Sequence, residues 1–108
     1  MNKKDKKQSF RKPELYKIAE IAALVIAEET GVSFAGICSQ TKRSNFYKAR
    51  VLFSGILSSY GIHLGKIAQI TYKKKEVIEE YVTEYNRKIK TLEEFQQIAK
   101  NVESSINN

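Results

Sequence analysis

The chain has 108 residues, a formal charge of +7 and 42% hydrophobic residues, which suits one domain with a modest core of its own. Its single cysteine, Cys38, excludes an internal disulfide and fits a reducing, cytoplasmic setting. No stretch approaches the ~18 apolar residues of a membrane span, so no membrane partner is expected.

The charge is uneven. Residues 1–12 hold six basic groups and one acid, and read as a flexible basic tail. The rest alternates in blocks: basic at 42–50, basic at 66–75, acidic at 76–84, basic again at 87–90. Basic patches of this kind usually meet anions, nucleic acid first and acidic membrane second.

Proline is absent after residue 13 and β-branched alternation is scarce, so the chain reads as helical almost throughout. Pro13 fits the first helical position, with Glu14 in the first turn. Leu15, Ile18, Ala22, Val25 and Ile26 recur at helical spacing, and Gly31 is a natural stop. Ser33 can cap a short second helix holding Phe34, Ile37 and Cys38, whose thiol is expected to be buried and inert. A polar, basic segment follows, and Ser44 or Asn45 can cap a third helix. Phe46, Ala49, Phe53, Ile56 or Leu57, and Tyr60 give that helix an apolar stripe, and Gly61 ends it.

Leu64, Ile67, Ala68 and Ile70 predict a short fourth helix, with a tight turn near Thr71 and Tyr72. The fifth helix turns Val77, Ile78, Tyr81, Val82 and Tyr85 inward. Thr91, Leu92, Glu93 and Glu94 form a capping-box pattern opening a last helix. That helix carries Leu92, Phe95, Ile98, Ala99, Val102 and Ile106 on one face. Closing its own domain is the expected role; a homodimer or protein-partner surface is the alternative.

Several chemistries are excluded. The only Asp is Asp5 in the tail and the only His is His63, so the folded part cannot assemble a Ser-His-Asp triad. One Cys and one His cannot make a zinc cluster, and no phosphate-binding Gly-rich loop is present. Adjacent glutamates such as Glu79 and Glu80 diverge by about 100° on a helix and read as solvated faces. No enzyme, metal or cofactor is expected.

Binding remains. In a helix-turn-helix an apolar residue and a following small residue of the first helix pack against two apolar positions of the second. Ile67, Ala68, Ile78 and Tyr81 fit that spacing, although Tyr72 stands where glycine is commonest. Lys73, Lys74 and Lys75 open the second helix, where the helix dipole disfavours cations by about 0.3–1 kcal/mol each. An external phosphate would offset that penalty. Lys42, Arg43, Lys48 and Arg50 form a second basic cluster before and within the third helix. Arg50 has an alternative role as a structural ion-pair residue.

From about residue 25 to residue 89 the chain resembles the C-terminal DNA-binding domain of the bacterial replication initiator DnaA. The resemblance rests on "GVSFAGICSQ", "KRSNFYKARVLFSGILSSYG" and "HLGKIAQIT". It implies a Trp-repressor-like, all-α helical bundle with a helix-turn-helix at 13–90; the additional helix at 91–108 lies beyond the resemblance. It implies binding of double-stranded DNA, with Lys42 and Arg43 matching the loop that enters the minor groove. Lys48 and Arg50 match phosphate contacts of the long helix. Where the family carries its base-reading motif, this chain has "YKKKEVI", which keeps only a basic position near Lys74. DNA binding is thus implied more strongly than the family's own target site, in a small regulator or replication accessory factor. A protein-interaction module on the same scaffold is the alternative.

Overall fold

The computed structural model describes residues 12–107, all helices and short connections, with no strand among them. The expected basic tail lies outside the described residues, except Lys12, at which the first helix begins. The helices are α1 (Lys12–Thr30), α2 (Phe34–Cys38), α3 (Ser44–Ser59), α4 (Leu64–Thr71), α5 (Lys75–Lys88) and α6 (Glu93–Asn107).

α3 is the centre of the bundle. Every residue from Ala49 to Leu57 is buried, so this stretch of the helix is covered on all sides and not on one stripe. It packs chiefly against α5 and α1. The approach to α5 is close because residue 55 is glycine: a Cβ there would fall inside the Tyr85 ring. α1 contributes Ile18, Ala22, Val25 and Ile26 to the same core and ends at Gly31, whose φ of 78° is the left-handed conformation that glycine tolerates.

α6 packs on α1 and closes this core. Phe95, Ile98 and Val102 are buried in it, and the Phe95 ring lies 5.9 Å from that of Tyr85. Leu92 departs from expectation: it precedes the helix and is 41% exposed. The capping box does not form either. The Glu94 carboxylate accepts from Lys48 at 2.8 Å, and the Gln96 amide instead donates to the carbonyl of Ile89.

α4 and α5 pack against each other across the turn 72–74, and Ile67, Ala68 and Ile78 are all buried. Tyr72 occupies the left-handed region, with φ 59° and ψ 38°. Tyr72 is 83% exposed, at an open apolar groove of about 660 Å³ that Tyr16, Leu24 and Phe34 also line.

Candidate nucleic-acid interface

The seven basic residues singled out by the sequence divide into two groups. Arg50, Lys73 and Lys48 are engaged within the protein. Lys42, Arg43, Lys74 and Lys75 are exposed, and their side chains make no hydrogen bond or ion pair among the described residues.

Arg50 is 6% exposed. α2 has only five residues, so its last carbonyls have no helical partner. The guanidinium donates to two of them, Gly36 and Ile37, and beyond the helix to the carbonyls of Ser39 and Thr41 and to the Ser39 hydroxyl, at 2.6 to 3.2 Å. This differs from the ion-pair expectation for Arg50, since its hydrogen-bond partners among the described residues are carbonyls and a hydroxyl and not a carboxylate, while its side chain lines a cleft. Lys73 completes the cap, its ammonium donating to the carbonyls of Cys38 and Ser39. The cost of a cation near the start of α5 is offset here by the negative C-terminal end of α2. Burial, and then the neighbouring guanidinium, pull the Lys73 ammonium below the ordinary lysine range. Lys48 pairs with Glu94 and so ties α3 to α6.

Cys38 is half-buried, its thiol donating to the Ile70 carbonyl at 3.8 Å, and burial pushes it above the ordinary thiol range. His63 is exposed in the capping position of α4 and makes no side-chain cap.

The two basic segments meet. Lys42 from the loop before α3 and Lys73 from the turn before α5 line one cleft of about 590 Å³. Val77 and Tyr81, four apart on α5, face it, as do Ser44 and Tyr47 of α3. Lys74 and Lys75 follow Lys73 at the opening of α5, whose N-terminus has no side-chain cap. Glu76, Glu79, Glu80 and Glu84 line a different groove along α5, not the cleft. Of these, Glu84 is held by Arg87 at 2.6 Å and Lys88 at 3.1 Å, which lowers its carboxyl below the usual range.

Sequence reasoning alone misses Tyr47 and Tyr81 as site residues. Their rings meet edge-to-face with centroids 5.7 Å apart. Tyr47 carries a signal: it is an aromatic one position off the apolar stripe of α3 and beside a lysine. Tyr81 carries none, because its spacing is that of a core residue.

Among the described residues no cluster of His, Cys, Asp and Glu could hold a metal, and no helix is long and apolar enough to cross a membrane. Comparison with known proteins gave no family model, no curated protein and no solved structure that matches this chain.

Proposed function

We propose that this chain is a non-catalytic, double-stranded DNA-binding protein of the DnaA C-terminal, helix-turn-helix type, acting as a small regulator or replication accessory factor in the cytoplasm. The observation that carries the reading is the meeting of the loop before α3 and the turn before α5 at one cleft. Lys74 and Lys75, which follow Lys73 in the chain, are exposed and have no partner among the described residues. The α4–α5 pair supports the helix-turn-helix: Ile67, Ala68 and Ile78 are buried, and the turn holds a left-handed residue at Tyr72.

In this reading Lys42 and Arg43 hold phosphates on one side of the cleft and Lys74 and Lys75 hold them on the other. Arg50 and Lys73 shape the loop that presents Lys42, through the carbonyls of Ser39 and Thr41. The exposed side chains opening α5 are the lysines Lys74 and Lys75, and the glutamates lie on another flank, so we read binding as directed to the phosphate backbone and little dependent on sequence. Measuring affinity for several unrelated duplexes tests this. The parent should bind them alike, and a Lys42→Ala, Lys74→Ala, Lys75→Ala variant should lose affinity for all by the same factor. A tenfold preference of the parent for one duplex would contradict the backbone mode.

One observation favours the second reading, a protein-interaction module. Glu76, Glu79 and Glu80 are exposed on α5 with no partner among the described residues. That flank would repel a duplex laid directly on it, and would suit a protein surface rich in Lys and Arg. Glu79→Gln with Glu80→Gln should leave duplex binding unchanged or stronger, and should weaken such a partner.

A further inference from the structure

The cleft contains an arrangement that the folding of the loop alone does not require. Arg50 and Lys73 are two cations held side by side with no carboxylate between them. The ion pairs among the described residues, Lys48 with Glu94 and Glu84 with Arg87 and Lys88, lie elsewhere. Donor accounting leaves each cation a spare group. The guanidinium has five N–H groups, of which Nε uses one, Nη1 one and Nη2 two. The ammonium has three and uses two. Both side chains are fixed by carbonyls, so an incoming anion would not have to order them. A third cation, Lys42, lines the same cleft without a partner among the described residues, and Ser44, also lining it, adds a hydroxyl. The other wall is apolar and aromatic: Val77, Tyr47 and Tyr81. Tyr47 is 41% exposed, so its ring is accessible. The volume, about 590 Å³, lies within the range of small-molecule sites.

A simple phosphate-binding surface needs the cations but not the aromatic wall. A hydrophobic pocket needs the wall but not three uncompensated cations. A nucleoside phosphate needs both. We propose that this cleft is a nucleotide site, in which Lys42, Arg50 and Lys73 hold the phosphate and Tyr47 and Tyr81 receive the base. Two sources offer that same chemistry: a free mononucleotide, or an unpaired nucleotide of a strand bound on the same face. The first source is independent of the duplex reading above; the second rests on it.

The test is a calorimetric titration of the full chain with deoxyadenosine monophosphate, deoxyadenosine and inorganic phosphate. The monophosphate should bind at least tenfold more tightly than either fragment. Tyr47→Ala and Lys42→Ala change exposed residues, so the fold should be kept, as circular dichroism would check. Each should weaken the monophosphate at least fivefold, and Lys42→Arg should restore it. Equal affinity for inorganic phosphate and the monophosphate would overturn the proposal in favour of a bare anion site. Absence of monophosphate binding, or binding indifferent to both substitutions, would overturn it as well. A duplex with one unpaired nucleotide then separates the sources: competition with the monophosphate assigns the site to the strand, and its absence assigns it to the free nucleotide. A chain that binds the monophosphate but no duplex would remove the DNA reading and keep this site.

Discussion

Arg50 joins the end of α2 to the middle of α3 through four carbonyls. Hydrogen bonds from a charged donor contribute about 1.5–3 kcal/mol each, and a buried acceptor left without a partner costs more than the average bond contributes. Arg50→Ala should therefore destabilise the protein by about 3 kcal/mol or more, read from chemical denaturation. Arg50→Lys should recover little, because an ammonium has three donors and no planar fork. Tyr72 is the opposite case. Its left-handed backbone costs a non-glycine residue about 1 kcal/mol and its exposed ring recovers little of that. Tyr72→Gly should stabilise by about 0.5–1 kcal/mol, and a lower melting temperature would contradict this. Tyr85 links stability to pH. Burial first, and then Tyr60, push its phenol up to about 12 from an ordinary value of 10.0. Between those values the unfolded chain loses the proton and the folded chain keeps it, so stability falls as pH rises through that window. Tyr85→Phe should flatten the decline in melting temperature over that range, leaving smaller contributions from Tyr60 and Tyr81, whose phenols are also raised by burial. The sequence leaves Arg50 open because a cation bonded to carbonyls has no partner residue to find by spacing. Tyr72 is readable, since the turn pattern alone marks it as a residue in a glycine position.

The crossing of α3 and α5 depends on Gly55, since any side chain there would occupy the space of the Tyr85 ring. Gly55→Ala should destabilise by about 1–3 kcal/mol despite the better helix propensity of alanine, with denaturation midpoints as the measurement. A stabilised Gly55→Ala would mean that the two helices do not approach as described. Helix order and the stops at Gly31 and Gly61 are legible in the sequence, because periodicity and left-handed glycines are local properties. The burial of residues 49–57 of α3 on every side is not. A spacing of three and four identifies a helix with one wet face, and it understates a helix that others surround. The opening of α6 is obscured for a related reason. Glu94 could serve Thr91 or Lys48, and only the tertiary fold, which brings Lys48 of α3 within reach of Glu94, decides for Lys48.

At the scale of the whole molecule, the basic residues of the sequence are not one population. Lys48, Arg50 and Lys73 join elements, and Lys42, Arg43, Lys74 and Lys75 have no hydrogen-bond or ion-pair partner among the described residues. Composition cannot separate them, because the separation depends on which helix ends need a donor. The acids divide in the same way, with Glu84 and Glu94 paired inside the protein and Glu76, Glu79 and Glu80 facing solvent. The central claim is that the unpaired cations hold DNA phosphates. A cation that neutralises a phosphate releases a counterion, so removing that cation flattens the dependence of log affinity on log salt by about 0.9. The direct measurement is a duplex-binding titration over a range of salt concentrations, comparing the parent with a variant carrying Lys42→Ala, Arg43→Ala, Lys74→Ala and Lys75→Ala. The account predicts a folded variant with weaker binding and a slope flatter by up to ~3.6, if all four residues neutralise a phosphate. A folded variant that keeps the affinity and slope of the parent would contradict it.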